Sequence, residues 1–409
     1  MVGRMTLVIK NARLATQTDV GLIDRGGLVI EGETVRWIGE GEPAVPSGAR
    51  VIDAGGSLVT PGLVDPHTHL VFAGTRIAEF GRKMAGADYQ QIAAEGGGIL
   101  STVRATREAA SDALFMLAKA RAEVLRRGGV TTVEVKSGYG LSLEQELRLL
   151  EVARRLDQEG VLHTRTTLLG AHKVPPEFDG DREGYVRLVA DEMVPIAASS
   201  GLADACDVYL DVGAFSRDEA RTILTSARHY GLGLRAHVGQ FEDLGGAELV
   251  AELGGWSCDH LEQVSDEGLR AMGAQDVRAV LLPGAWRTLR QTPPDAARMI
   301  RHGVRVAVGT DANPGTSPCL DLVLSVALAV RDAGLPPEMA LPAITRHAAD
   351  AVGDRSRGRL LAGGPADLAI WDTDTPDAFA YALGRLEPRL LLMAGKVMHE
   401  SATETPPLW

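Results

Sequence analysis

The feature that most constrains this chain is a rhythm of eight short apolar segments separated by longer helical patterns. The segments are GLVDPHTH at 62 to 69, VTTVEVKS at 130 to 137, RTTLLGAH at 165 to 172, ACDVYLDV at 205 to 212, GLRAHVG at 233 to 239, WSCDHLE at 256 to 262, RAVLLPG at 278 to 284 and VRVAVGTD at 304 to 311. Runs this short, rich in Val and Leu and bounded by Gly and polar residues, read as buried parallel strands. Between them lie amphipathic stretches such as SLEQELRLLEVARRLDQEG, where Leu149, Val152, Ala153 and Leu156 trace a helical stripe. Alternating strands and helices specify βα units of the α/β class, and eight of them favour a closed (β/α)₈ TIM-type barrel over an open sheet.

The two ends of the chain read differently. Glycine-punctuated alternating segments, TLVIKNARLAT, GGLVIEGETVRWIGEG and ARVIDAGGSLVTPG, open it, and ADLAIWDTD and PRLLLMAGKVMHE close it. The termini are therefore predicted to meet in a small composite β-sandwich, residues 1–60 with 361–409, beside a barrel over 61–360. A length of 409 residues fits one large domain carrying such a satellite. Hydrophobic residues at 45% and charged residues at 23% fit a packed soluble protein. A formal net charge of -12, with no run of Lys and Arg, argues against nucleic acid as a partner. No segment approaches the roughly 18 apolar residues of a membrane span, and MVGRMTLVIKNARLATQTDVG lacks the apolar stretch of a signal peptide, so the expected location is the cytoplasm. Cys206, Cys258 and Cys319 stand apart, without CxxC spacing, and read as reduced thiols.

In a barrel of this kind, chemistry collects at the C-terminal ends of the strands, so a polar residue closing an apolar strand is a candidate functional group. The first strand closes in His67-Thr68-His69, where a period of two aims both imidazoles to one side. The fifth carries His237, the sixth His260, and the eighth closes in Asp311. Two imidazoles from one strand, a third from another and a hard carboxylate make a nitrogen and oxygen set suited to one divalent metal, Zn²⁺ or Fe²⁺, with room for water. His163, His229, His302, His347 and His399 fall in predicted helices, connections or the terminal sheet and read as structural or surface residues. Lys136 closes the second strand rather than one between the histidines, so a carboxylated lysine bridging two metals is not expected, and the centre reads as mononuclear. Gly96-Gly97-Gly98 lacks the lysine and hydroxyl of a phosphate loop and reads as a flexible segment on the substrate side.

With VDPHTH on the first strand, histidines on the fifth and sixth and TDANPGTSP on the eighth, the chain resembles the amidohydrolase superfamily. Within it, HTHLVFAGTRIAEF, GGGILSTVRATR, VEVKSGYGL, LLGAHKVPPEF, DLGGAELVAELGG, DHLE and LLPGA resemble the imidazolonepropionase family of histidine degradation. That resemblance implies metal ligands at His67, His69, His237 and Asp311, and substrate contacts at Arg76, Tyr89, Tyr139, His172, His260, Asn313, Gly315 and Thr316. It also implies a homodimer and a small acidic cyclic substrate. Read as chemistry, Arg76, Tyr139 and His172 at the mouths of the first three strands suit a clamp for a propionate.

The implied reaction opens 4-imidazolone-5-propionate to N-formimino-L-glutamate. A metal lowers the pKa of its water toward about 7 and polarises a carbonyl, so the expected step is attack of that hydroxide on the ring carbonyl. Asp311 takes the water's proton and His260 donates to the developing oxyanion. Gln240 stands where related deaminases place a glutamate; an amide cannot shuttle a proton, but it can orient the ring. Gly239, Trp286 and Arg287 also depart from the family pattern, which has an acidic residue in this loop and an aromatic pair further on. Two other readings stand beside this one. The first is another cyclic amidohydrolase or aminohydrolase acting on a carboxylated imidazole, hydantoin or pterin, against which the missing glutamate argues in the case of deamination. The second is an inactive barrel kept as a small-molecule binding protein, against which the intact ligand set argues.

Overall fold

The computed structural model describes residues 6–86, 97–384 and 386–401. Its sixteen strands form two sheets. The first, drawn from both ends of the chain, holds β1 (Thr6–Ala15), β2 (Leu22–Glu31), β3 (Thr34–Glu40), β4 (Arg50–Asp53), β5 (Leu58–Pro61), β14 (Leu368–Trp371), β15 (Pro388–Met393) and β16 (Lys396–Glu400). The second holds β6 (Leu63–Asp65), β7 (Val130–Lys136), β8 (His163–Ala171), β9 (Ala205–Leu210), β10 (Gly233–Val238), β11 (Ser257–His260), β12 (Arg278–Leu281) and β13 (Val306–Val308).

All eight predicted barrel strands are present, each parallel to its neighbours in the order of the sequence. Every residue of β7, Val130 to Lys136, is buried, as expected of a parallel strand with barrel contents on one face and helices on the other. The helix Leu143–Gln158 packs on it with Leu149, Leu150, Val152, Ala153 and Leu156 buried, which is the stripe read from the sequence. The ring closes just beyond the ends of β6 and β13. Asp311 N donates to His67 O at 2.9 Å and His69 N to Ala312 O at 3.1 Å, while Thr310 gives Asp65 its hydroxyl at 2.6 Å and its N–H at 3.1 Å. Gly309 permits this approach, since a Cβ there would lie 3.1 Å from that of His67.

The terminal sheet is composite, as predicted. One edge of β1 pairs with β2, and the other is shared between β4, against residues 7 to 10, and β5, against 13 and 14. This fork lets the sheet turn over a core of its own, in which Leu7, Ile9, Leu28 and Ile30 meet Leu368, Ile370, Leu390 and Leu392. β14 pairs with β5 and so ties the C-terminal strands to the N-terminal ones. All three cysteines are free thiols, and no described helix is long and apolar enough to cross a membrane.

Trp371 on β14 joins the two sheets. It is wholly buried, donates from Nε1 to Thr60 Oγ1 at 2.9 Å and meets Phe379 edge-on at 4.9 Å. Gly129, at φ +93°, turns the chain into β7 directly beneath the indole; a Cβ there would lie 2.6 Å from it. Trp371→Ala is therefore expected to lower the unfolding free energy by about 3–5 kcal/mol, as truncation of a fully buried aromatic does, measured by urea denaturation. A loss under about 1 kcal/mol would contradict this role.

Candidate metal centre

Successive strand ends deliver the site. The chain leaves β6 as Pro66-His67-Thr68-His69, β10 carries His237, β11 ends at His260, and Asp311 follows β13. His67, His69 and His237 are buried, and each offers a nitrogen such that all three lie within 4.8 Å of one another. Asp311 Oδ1 stands 3.4 Å from His67 Nε2 and 3.5 Å from His69 Nε2. The ring of His260 is centred 5.4 Å from that of His237.

This donor set fits a divalent metal. Burial holds the pKa values of His67 and His69 well below the ordinary imidazole value, so both rings are neutral and have a lone pair to give. Asp259 accepts from His67 Nδ1 at 2.6 Å and Asp207 from His237 Nδ1 at 2.8 Å. A carboxylate in those positions only accepts, so each ring carries its proton on Nδ1 and turns Nε2 to the centre. His67 Nε2 is buried without a hydrogen-bond partner among the described residues, and a divalent metal would satisfy that lone pair. Burial also raises the pKa of Asp311 to about 7, against the opposing pull of His260 and Lys136.

Backbone strain gathers at the same place. His260, Leu261 and Asp311 have φ of +80°, +72° and +52°. Non-glycine residues in this region cost on the order of 1–3 kcal/mol each and persist where the surroundings fix them, as they often do at active sites.

A cavity of about 740 Å³ opens above the imidazoles. It is lined by Arg76, Tyr139, His172, Gln240, His260, Asn313, Gly315 and Thr316 together with His69, His237 and Asp311, while His67 lies beneath. Tyr89 lies outside the described residues, as does Gly96. Arg76 turns Nε and Nη2 to Glu79, which also accepts from Gly98 N at 2.9 Å, and Lys83 adds a second cation to this wall. Tyr139 sits in a loop whose Gly138, Gly140 and Leu141 N–H groups all donate to the buried Glu146 at 2.7 to 2.8 Å. Burial pushes its phenol pKa up, so it is a neutral donor. His172 gives Nδ1–H to Gly138 O at 2.9 Å and stacks on His69; burial and the neighbouring His237 lower its pKa to about 3.

Gln240 follows Gly239, whose φ of +63° supplies the turn after β10. Asp211 pins this turn by accepting from the N–H groups of Gln240, Phe241 and Glu242 at 2.7, 2.9 and 3.0 Å. Tyr209 donates to Gln240 Oε1 at 2.8 Å, so among the described residues the Gln240 NH₂ is the end left to meet a ligand. Asn313 spends its side chain on its own turn, accepting from Gly315 and Thr316 N–H at 2.8 Å and donating to Asp311 O at 2.7 Å. Trp286 is buried and Arg287 pairs with Asp332 at 2.6 Å; neither lines the cavity.

Several residues that shape the site were not singled out by the sequence reading. Asp207 and Asp259 had a signal, since an acid inside an otherwise apolar strand needs a buried partner. The side chain of Glu262 is wholly buried two residues beyond His260, with an oxygen 3.6 Å from His260 Nδ1 and no hydrogen-bond partner among the described residues. Burial opposes a charge on His260, but Glu262, Asp311 and Asp259 outweigh it and raise its pKa above the ordinary imidazole value. The five histidines read as structural lie elsewhere: His347 Nδ1 meets Val306 O, His163 meets Asp157, His302 meets Asp266, and His229 and His399 are exposed.

Residues 58–398 match the model of the amidohydrolase family. The imidazolonepropionase of Polaromonas sp. is 46% identical over 390 residues, 94% of this chain and 91% of the relative. That of Paracoccus denitrificans is 45% identical over 384 residues, 92% of this chain and 96% of the relative. Among solved structures, 5-methylcytosine deaminase from Klebsiella pneumoniae superposes with a TM-score of 0.76 over 97% of this chain and 98% of its own, at 18% identity, a likeness of fold. A barrel closed through its first and eighth strands, a histidine trio at that seam and near-full-length identity to these relatives lead to one conclusion: the chain belongs to the imidazolonepropionases of the amidohydrolase family.

Proposed function

We propose that this chain hydrolyses 4-imidazolone-5-propionate to N-formimino-L-glutamate in histidine degradation, breaking a C–N bond of the cyclic amide. The observation that carries this reading is the convergence, at the floor and wall of one cavity of an imidazolonepropionase relative, of the His67, His69 and His237 trio with the cations Arg76 and Lys83. His67, His69 and His237 with Asp311 hold the one divalent metal on which the chemistry depends. Zn²⁺ and Fe²⁺ both suit three imidazoles, a carboxylate and no thiolate. Bound there, such an ion makes water available as a nucleophile near neutral pH and polarises a carbonyl oxygen.

The chain's own groups then divide the work. Arg76 takes the propionate carboxylate, with Tyr139 and His172 as neutral donors beside it. Gln240, its Oε1 engaged by Tyr209, turns its NH₂ toward the ring and orients it. Asp311 accepts a proton as water adds to the ring carbonyl carbon, and His260, backed by Glu262, donates to the oxygen that gains charge. The proton held by Asp311 passes to the departing nitrogen as the C–N bond breaks. Thr316 and the backbone of Gly315 close the cavity beside Arg76.

The direct test is an assay of freshly generated imidazolonepropionate, with hydantoin-5-propionate as competitor. Formiminoglutamate is the expected product; binding without turnover by metal-loaded protein would return the chain to the inactive-barrel reading. Arg76→Ala removes charge-assisted hydrogen bonds of about 1.5–3 kcal/mol and should raise KM by roughly 10- to 100-fold with kcat little changed. An unchanged KM removes Arg76 from the carboxylate site.

A further inference from the structure

Below the imidazoles lies a layer of charged side chains that the reaction above does not use. Glu134 and Lys136 on β7, Asp207 on β9, Arg235 on β10 and Asp259 on β11 are each at most 1% exposed. Lys136 is its hub. Its Nζ lies 2.7 Å from Asp207 Oδ2, 2.8 Å from Glu134 Oε1 and 3.6 Å from Asp259 Oδ2. It thus touches both carboxylates that grip metal-facing histidines.

The two grips are not equally supported. Asp259 Oδ2 receives Arg235 Nη2 at 2.8 Å as well as His67, and its Oδ1 receives Ser257 Oγ at 2.7 Å. Asp207 has only His237 on Oδ1 and Lys136 on Oδ2 as hydrogen-bond or ion-pair partners of its side chain among the described residues. Without the ammonium, Asp259 keeps a cation and a hydroxyl. Asp207 becomes a buried carboxylate held by one imidazole N–H, free to rotate or to take up a proton, and either change releases His237 Nδ1.

We propose that Lys136 is a positioning residue for the metal centre, acting through Asp207 on the ring of His237, so that the positive charge at residue 136 sets metal affinity through that one ligand. The inference rests on the metal assignment above. The competing account is that Lys136 only neutralises buried carboxylates so that the barrel can form, in which case it affects stability alike with or without metal.

The test is a double-mutant cycle read by metal affinity. Full-length wild type, K136M, D207N and K136M/D207N are stripped of metal and titrated with Zn²⁺ against a chromophoric chelator. Loss of a group that orients a ligating histidine weakens binding by about 10- to 100-fold, and this is the expected loss for each single variant. The double variant should bind no more than about 3-fold more weakly than D207N alone, because Lys136 acts through the group already altered. K136M with wild-type affinity, or a double variant whose loss is the product of the single losses, would overturn the proposal. If K136M does not fold, K136Q takes its place with the same outcomes; the charge-balanced double variant removes one charge of each sign and still gives the comparison with D207N. A wild-type chain that holds no Zn²⁺, or a H237A variant that holds it as tightly as wild type, would overturn the metal assignment itself and this inference with it.

Discussion

Closure of the barrel between β6 and β13 is the constraint on which the rest of the molecule depends. The ends of these two short strands meet there, and the hydrogen bonds that shut the ring come from the residues that build the site: His67 O, His69 N, Asp311 N and Ala312 O, with Asp65 and Thr310 beneath. A cylinder of eight strands joins its first to its last, so residues 244 apart in the chain, such as His67 and Asp311, are brought together. The site is thus built on strand ends tied together by backbone hydrogen bonds, which suits a centre that would have to hold its groups to within a fraction of an ångström.

Burial opposes charge throughout this seam, with two different outcomes. It strips charge from His67, His69 and His172, leaving lone pairs and neutral donors where cations would repel a metal. Below them charged side chains stand against burial because three carboxylates face two cations at close range. Burial and Arg235 both work against the charge on Lys136, yet Asp207, Glu134 and Asp259 outweigh them and hold its pKa above the ordinary value. Layer by layer, the barrel interior passes from an ionic network to neutral rings to an open cavity with a cationic wall. Each layer fixes the one above it: Asp207 and Asp259 set the histidine tautomers, and the histidines set where a metal can sit.

Much of this was legible in the sequence because the relevant signals are local. A strand of period two announces its own faces, so His67-Thr68-His69 places two imidazoles together whatever the rest of the chain does, and an apolar strand closed by His or Asp marks the functional end of a barrel. What stayed hidden depends on partners far along the chain. Lys136 was visible as a charged residue closing a strand, but its role lies in carboxylates 71 and 123 residues away. Glu146 and Asp211 serve backbone N–H groups, which carry no residue identity, so nothing in the sequence marks them as holding the loops of Tyr139 and Gln240. The fork by which β1 serves both β4 and β5 is likewise a property of register, not of composition.

One divalent ion is proposed to sit among His67, His69, His237 and Asp311. Anomalous diffraction from a crystal of the metal-loaded protein, collected at the absorption edges of zinc and iron, tests it most directly. The expected result is a single strong peak at bonding distance from three imidazole nitrogens and the Asp311 carboxylate, about 2.0–2.2 Å for zinc. A second peak bridged by Lys136, or a lone peak held by other side chains, would contradict it.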